Sequence, residues 1–422
     1  MKPVPTMPAR REVIDMPAKL REACPLRQLP LDSRALMSLR CSCVLVFPSG
    51  SMHESDEFLE LLRQEGIVHH PDARLTALTG GVSCEIYLVE DGDERFVVKR
   101  ALAKLKVKAD WFADVGRNRH EWEFIRYVAR FLPDGVPALR HHSATGNYFA
   151  MEYLGGQFQN WKQLLLAGQA DAKYAARAGN LLAQIHRHSA GDAEAMRLFD
   201  TTANFFQLRI EPYLLAAGAK HAVLRPLFEA EAARLGATRE CLVHGDFSPK
   251  NILVSRERMV LLDCEVAWYG DPAFDLAFML NHFFLKALQH APRESEPKGV
   301  EKRPANHAND TNLSETHSSD SCDSRAKTAY DRFDSQTLRS MVEEFWSAYQ
   351  EVRPAEDLDQ RVARLLLMLL LARVDGKSPV EYLDAARQEF VRRFVQEELP
   401  AKDASLRAVA DSWFGQLHQI EK

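Results

Sequence analysis

The sequence predicts an α+β protein, with strands gathered in a smaller N-terminal part and a larger, mainly helical remainder. Three observations predict it. The run Glu85–Val89, the turn Asp91-Gly92-Asp93 and the run Arg95–Lys99 read as strand, turn, strand. A further β-rich run, Tyr148–Glu152, ends in Leu154-Gly155-Gly156. Beyond it lie long stretches of helical periodicity, broken by one short hairpin pattern over 251–263. With 422 residues and 46% hydrophobic content, the chain has material for two or more core-bearing lobes.

Residues 1–51 are rich in Pro and Arg with little periodicity, and are expected to be a disordered extension; Met52 opens the first helix, through Glu57–Leu62. Next comes Leu78-Thr79-Gly80-Gly81-Val82-Ser83, at the entrance of the strand pair. Gly80 and Gly81 would let backbone amides approach phosphates, and Lys99 at the end of an apolar strand would aim a fixed charge at them. A Gly-Gly pair alone is usually an ordinary turn, and the Val97-Val98-Lys99 run one hairpin later is what gives it meaning. Residues 117–128 continue with apolar positions at 122, 125 and 128, and again at 132, the period of an amphipathic helix. A lysine facing phosphates needs a carboxylate to hold it, and this helix offers Glu121 and Glu123, either of which also reads as a solvated surface acid. The helix over 175–186 is largely apolar, and its His186 reads as a core or loop-bracing histidine.

The chemistry concentrates in residues 241–275. Asn251–Val254 and Met259–Asp263 are β-forming runs joined by the polar turn Ser255-Arg256-Glu257-Arg258, a tight antiparallel hairpin. With the turn centred near Glu257, Ile252 faces Leu262 and Asn251 faces Asp263, so an amide oxygen and a carboxylate meet at the open end. Two hard oxygen ligands suit Mg²⁺, which keeps several waters and takes few protein carboxylates. Asp246, on the loop leaving Cys241-Leu242-Val243, can orient an attacking hydroxyl. A base, two metal ligands and a loop are the parts phosphoryl transfer needs, because its transition state demands positioning and charge neutralisation. Blander readings stand beside these: Asp246 as a turn residue and Asn251 as a loop cap, or His244 and Asp246 as a pair of ligands to a catalytic metal. No further His/Asp cluster at metal-ligand spacing completes that last site.

HGDFSPKNIL over 244–253, LLDCE over 261–265 and GDPAFDLA over 270–277 resemble the catalytic loop, the metal-binding strand and the following segment of the aminoglycoside phosphotransferase-like kinases. That family includes choline and methylthioribose kinases and shares the protein-kinase fold. The resemblance implies two lobes, a β-rich nucleotide-binding lobe over 52–153 and a mainly helical catalytic and acceptor-binding lobe over 154–422. It implies Asp246 as catalytic base with His244 supporting its loop, Asn251 and Asp263 as Mg²⁺ ligands, and Asp275 as an anchor of the loop. Gly80, Gly81, Ser83 and Lys99 become nucleotide contacts, Glu121 the partner of Lys99 with Glu123 as its rival, and Glu152, Tyr153 and Leu154 a hinge presenting main-chain groups to adenine. ATP is the implied co-substrate and a hydroxyl on a small molecule the implied acceptor. Cys264-Glu265 follows Asp263 where protein kinases carry Phe-Gly, which fits the small-molecule branch.

Residues 290–329 contain no Phe, Trp or Tyr and only Val300 and Leu313 as large aliphatics, and are expected to be a disordered insertion. Helices resume at Leu338, Asp359 and Pro379. Glu265, Trp268, Tyr269, Asn281, His282, Arg373 and Asp375 are candidates to line an acceptor pocket, although packing and surface pairing explain each equally well. The apolar run Leu365–Leu371 falls short of the ~20 residues a membrane span needs. A net charge of −5 and a pI near 6.3 give no reason to invoke nucleic acid or an anionic membrane. Seven cysteines without a CxxC pair point to reduced thiols in the cytoplasm. The reading is a small-molecule kinase acting on a sugar, amino alcohol or aminoglycoside-like acceptor. The alternatives are a protein kinase, weakened by the missing D-F-G and A-P-E signatures, and a nucleotide-binding pseudokinase or scaffold, which the presence of Lys99, Asp246, Asn251 and Asp263 argues against. Nothing in the sequence indicates the oligomeric state.

Overall fold

The computed structural model describes residues 52–78, 84–101, 117–143, 145–291, 335–355, 357–401 and 405–421. The expectations for 1–51, for Gly80, Gly81 and Ser83, and for 292–329 lie outside these residues.

The N-terminal lobe is an antiparallel sheet of β1 (Arg74–Ala77), β2 (Cys84–Asp91), β3 (Glu94–Ala101), β4 (Leu139–Ser143) and β5 (Tyr148–Glu152), in the order β1-β2-β3-β5-β4. Two helices cover it, α1 (Met52–Gln64) and α2 (Arg117–Val128). The strand period of two divides β3 between them. Phe96 and Val98 pack with Phe58 and Leu62 of α1, while Val97 joins Phe124, Ile125 and Val128 of α2. Lys99 shares the face of Val97, so the strand itself aims its ammonium toward α2 rather than α1.

The C-terminal lobe begins with β6 (Gln159–Asn160), α3 (Trp161–Leu166), α4 (Ala172–Ser189), α5 (Ala193–Leu198) and α6 (Thr202–Phe205). A π-wound segment, Phe206–Leu215, leads into α7 (Ala216–Lys220) and α8 (Arg225–Ala237). Then come β7 (Cys241–Val243), β8 (Ile252–Val254), β9 (Met259–Leu261) and β10 (Trp268–Gly270), followed by α9 (Ala273–His290), α10 (Ser335–Val352), α11 (Leu358–Asp375), α12 (Ala385–Glu398) and α13 (Leu406–Glu421). Thus α9 takes in the first residue of the expected insertion, and Ala291 behind it is buried. The leucine run of α11 is wholly buried, and among the described residues no helix is long and apolar enough to cross a membrane.

Two features hold this lobe around the loop after β7. Helices α4 and α10 come close enough that a Cβ on Gly179 would sit 2.2 Å from the Phe345 carbonyl oxygen, so only glycine fits the crossing. Asp271, fully buried, accepts from the Ala273 N–H at the start of α9 and pairs with Arg234 of α8 and Arg361 of α11. That pins the start of α9, the helix whose first turn carries Asp275.

Candidate functional site

The hairpin forms one register away from the expected one. Ile252 pairs with Leu261 and Val254 with Met259, and the Leu262 N–H donates to the Asn251 carbonyl at 2.9 Å, so Asn251 faces Leu262 rather than Asp263. The cause is the turn. The Ser255 hydroxyl accepts from Arg258 N at 2.9 Å and Glu257 N at 3.3 Å, closing the loop over 255–258 and moving its centre toward Arg256. Asp263 then follows the strand in the left-handed region, φ 62°. For a residue with a Cβ that costs on the order of 1–2 kcal/mol, and it redirects the carboxylate toward the cleft.

In the cleft, Lys99 Nζ lies 2.9 Å from Asp263 Oδ1 and 2.6 Å from Glu121 Oε2. The first contact is aligned as a hydrogen bond; the second is an ion pair by distance, with Glu121 Oε2 outside hydrogen-bond alignment. Lys99 and Glu121 are buried, whereas Asp263 is about one-third exposed. Burial pulls the Lys99 ammonium down, but Asp263 and Glu121 together hold it well above the usual lysine range. Burial pushes Glu121 up to about 7 against the pull of Lys99, while Lys99 and Lys250 outweigh burial at Asp263 and keep it below the usual carboxylate range. Glu123 points elsewhere, 2.7 Å from Arg126.

The loop over 244–251 hangs from Asp275. This fully buried carboxylate accepts from His244 N at 2.7 Å and Gly245 N at 2.9 Å, and meets His186 Nε2 at 3.3 Å. Gly245 adopts φ 78°, and a Cβ there would meet the Val266 carbonyl oxygen at 2.6 Å. His244 is buried, with Nε2 3.2 Å from the Leu262 carbonyl and Nδ1 accepting from Asp246 N at 3.2 Å. Burial lowers its pKa, so it is a neutral imidazole with the proton on Nε2. Neither nitrogen is left for a metal, which removes support from the His244–Asp246 ligand pair. Among the described residues no group of three or more His, Cys, Asp or Glu is arranged as a metal site.

Asn251 is buried, and its amide nitrogen donates to the Asp246 carbonyl at 3.0 Å. Its oxygen remains for a cation. Asn251 and Asp263 thus supply a neutral and an anionic oxygen, a donor set of the hard type that Mg²⁺ takes. The Asp246 carboxylate is only 14% exposed and lies 3.3 Å from Arg209 and 3.4 Å from Lys250. Arg209 had no motif to mark it, whereas Lys250 sits inside the loop motif, four positions after Asp246, and was legible there.

At the expected hinge, Glu152 is engaged by the protein itself. Its N–H donates to the Ala138 carbonyl, and its carboxylate takes the Ala138 N–H at 3.1 Å and Arg258 of the hairpin turn at 2.7 Å. The Ala138 bonds tie β5 to the start of β4, and the Arg258 pair clasps β5 to the C-terminal lobe; Tyr153 and Leu154 follow, half-buried. Of the residues considered for an acceptor pocket, Trp268 and Tyr269 are core. Trp268 stacks on Phe205, and the Tyr269 hydroxyl accepts from Gly191 N and donates to the Glu240 carbonyl. Asp375 is held by Arg392 and His221. Glu265 lies at the cleft, with Oε2 4.0 Å from Cys84 Sγ. Asn281, His282 and Arg373 belong to a cationic cluster described below.

A family model described as the phosphotransferase enzyme family matches residues 74–303, more than half of the chain. Among curated proteins, a methylthioribose kinase of Pectobacterium atrosepticum is 27% identical over 296 residues, 59% of this chain and 70% of that protein. A methylthioribose kinase of Erwinia tasmaniensis is 26% identical over 259 residues, 54% of this chain and 64% of that one. The matches therefore leave about a third of each relative's length uncovered. Among solved structures, choline kinase from Cryptosporidium parvum superposes with a TM-score of 0.47 at 13% identity, covering 85% of this chain and 99% of that chain.

Proposed function

The chain belongs to the phosphotransferase enzyme family, and from that premise we propose that it transfers the γ-phosphoryl group of ATP to a hydroxyl of a small molecule. The observation that carries this reading is the convergence of Lys99 from the sheet with Asp263 from the hairpin, Nζ to Oδ1 2.9 Å, beside the loop that bears Asp246 and Asn251. In the proposed arrangement Asp246 receives the acceptor's hydroxyl proton as that oxygen attacks the γ-phosphorus and the bond to the β-phosphate oxygen breaks. Lys99, kept charged by Glu121, moves its hydrogen bond from Asp263 to nucleotide phosphate. Arg209 and Lys250, both paired with the Oδ2 oxygen of Asp246, meet the negative charge of the group in transfer. Asn251 and Asp263 would hold Mg²⁺, which when bound neutralises charge on the phosphates. His244 keeps the loop in shape without exchanging a proton. The two-lobe division near residue 153 belongs to the same proposal, with the Arg258–Glu152 clasp at the lobe boundary.

Asp246→Asn is the test. It should retain Mg²⁺–ATP binding by calorimetry and lose about 10²–10⁴-fold in turnover, the usual share of a general base. Full turnover in a folded Asp246→Asn protein would falsify the assignment.

A further inference from the structure

One face of α9 carries Phe278, His282 and Lys286 at successive helical turns. Lys286 is 1% exposed, yet no carboxylate pairs with it among the described residues; its ammonium lies 5.8 Å from the centre of the Tyr382 ring. The charges acting on it are Lys162 of α3 and Arg373 of α11, and those acting on His282 are Lys286, Arg373, Lys250 and Lys162. Three polar atoms of this cluster are buried without a partner: the Tyr382 hydroxyl, Arg373 Nε and Asn281 Oδ1. Two acids close in sequence to Arg373 and Tyr382 are already engaged, Asp375 by Arg392 and Asp384 by Arg387.

The cluster is continuous with the catalytic loop. Arg209, paired with Asp246, lies 5.9 Å from the ring centres of both Tyr213 and Phe278. The Tyr213 hydroxyl is 3.4 Å from Arg373, and the Phe278 ring packs edge-on against His282 at 5.6 Å. A buried lysine beside further cations, with no counter-ion among the described residues, is unfavourable unless a ligand supplies the charge. Sites that keep such an arrangement are functional candidates.

We propose that the acceptor is a hydroxylated small molecule bearing an oxyanion, a carboxylate, phosphate or sulfate, which docks against Lys286, His282 and Arg373 while its hydroxyl reaches Asp246. This rests on the phosphotransferase reading and narrows it: cationic acceptors such as amino alcohols and amino sugars are disfavoured. A like charge ~6 Å from the Lys286 ammonium or the Arg373 guanidinium at an effective dielectric of ~20 gives discrimination on the order of 10²-fold.

The test uses the full chain and three polyols of matched size, D-gluconate, D-glucose and D-glucosamine, with inorganic phosphate as a fourth probe. Calorimetry is run with and without saturating Mg²⁺–AMP-PNP, so that phosphate binding near Lys99 is separated from binding at α9. The expected result is that gluconate or phosphate binds at least tenfold more tightly than glucose or glucosamine, and that Lys286→Met loses this binding at least tenfold while melting no lower than the wild type. His282→Gln should lose part of it. Glucosamine or glucose binding as tightly as gluconate, equal anion binding in Lys286→Met and wild type, or no anion binding at all overturns the proposal. Failure of Mg²⁺–nucleotide binding with anion binding intact would instead remove the phosphotransferase reading of the cleft and leave the anion site standing.

Discussion

Replacing Asp275 by asparagine changes one atom and should be among the costliest conservative substitutions in the protein. The carboxylate is fully buried and accepts two main-chain N–H groups, from His244 at 2.7 Å and Gly245 at 2.9 Å, besides its contact with His186. An amide has only one acceptor oxygen, so whichever way it turns, one of the two N–H groups faces an NH₂. A hydrogen bond to a buried charge contributes about 1.5–3 kcal/mol and a stranded buried donor costs about 1–3 kcal/mol, which together give roughly 2.5–6 kcal/mol. Against the ~5–15 kcal/mol that stabilises a typical domain, that is a large fraction. Urea unfolding of wild type and Asp275→Asn reads the cost directly. Asp246→Asn is the matched control: the same chemical change in the same loop, on a carboxylate whose partners are two cations at 3.3 and 3.4 Å, and it should alter stability far less. An Asp275→Asn protein within about 1 kcal/mol of wild type, with turnover retained, would refute the claim that this carboxylate suspends the loop.

Other outcomes follow from the same geometry. Gly179→Ala should lower stability by about 1–3 kcal/mol, as overpacking does, despite alanine's better helix propensity; an unchanged melting temperature would mean that α4 and α10 can part at Phe345. Lys99→Met and Glu121→Gln should couple by about 1–3 kcal/mol in a double-mutant cycle, with strict additivity counting against the pair. Lys286 offers a pH signature. Burial, then Lys162 and Arg373, bring its ammonium from 10.5 to about 7, so between those values the unfolded chain holds a proton that the folded chain releases. Stability therefore rises with pH across that window, by up to about 1.4 kcal/mol per unit, and the contribution is lost as pH falls toward 7. His282 is held well below the window and Tyr382 is pushed up to about 12, above it. Urea midpoints at pH 7, 8 and 9 should show a slope that Lys286→Met removes; parallel curves would count against a buried, unpaired amine.

The elements around the cleft were legible because their signals are local. The strand pair over 84–101 and the helix at 117–128 appear where periodicity placed them. The hairpin was legible in kind but not in register, since a side-chain hydrogen bond from Ser255 decides which residues close its turn. The end of an apolar strand marked Lys99, and the family resemblance alone set Glu121 ahead of Glu123; the direction of α2 against the sheet separates them physically, and it is a tertiary fact. Of the cationic cluster, Asn281, His282 and Arg373 stood among the acceptor-pocket candidates, but Lys286 was hidden for a related reason. Lys286 stands within an apolar helix, where it reads as a solvated break in the stripe, and only the packing of α3, α11 and the turn bearing Tyr382 against α9 reveals that it is buried.

The bonds that suspend the loop also have a sense. Asp275 can only accept, so His186 presents a proton from Nε2, and its Nδ1 takes the hydrogen of the Tyr349 hydroxyl at 3.0 Å. The Tyr349 oxygen in turn receives Arg353 at 3.2 Å. On the far side of Asp275, His244 is fixed in a single tautomer by Leu262 and Asp246. One negative charge thus sets the hydrogens of His186 and Tyr349 and holds the main chain at His244, while Leu262 and Asp246 set the His244 ring. Burial disfavours charging of both imidazoles, so this framework resists taking up a proton. Any acid–base response of the reaction near neutrality then originates in the groups that face the cleft, not in the scaffold that aims them.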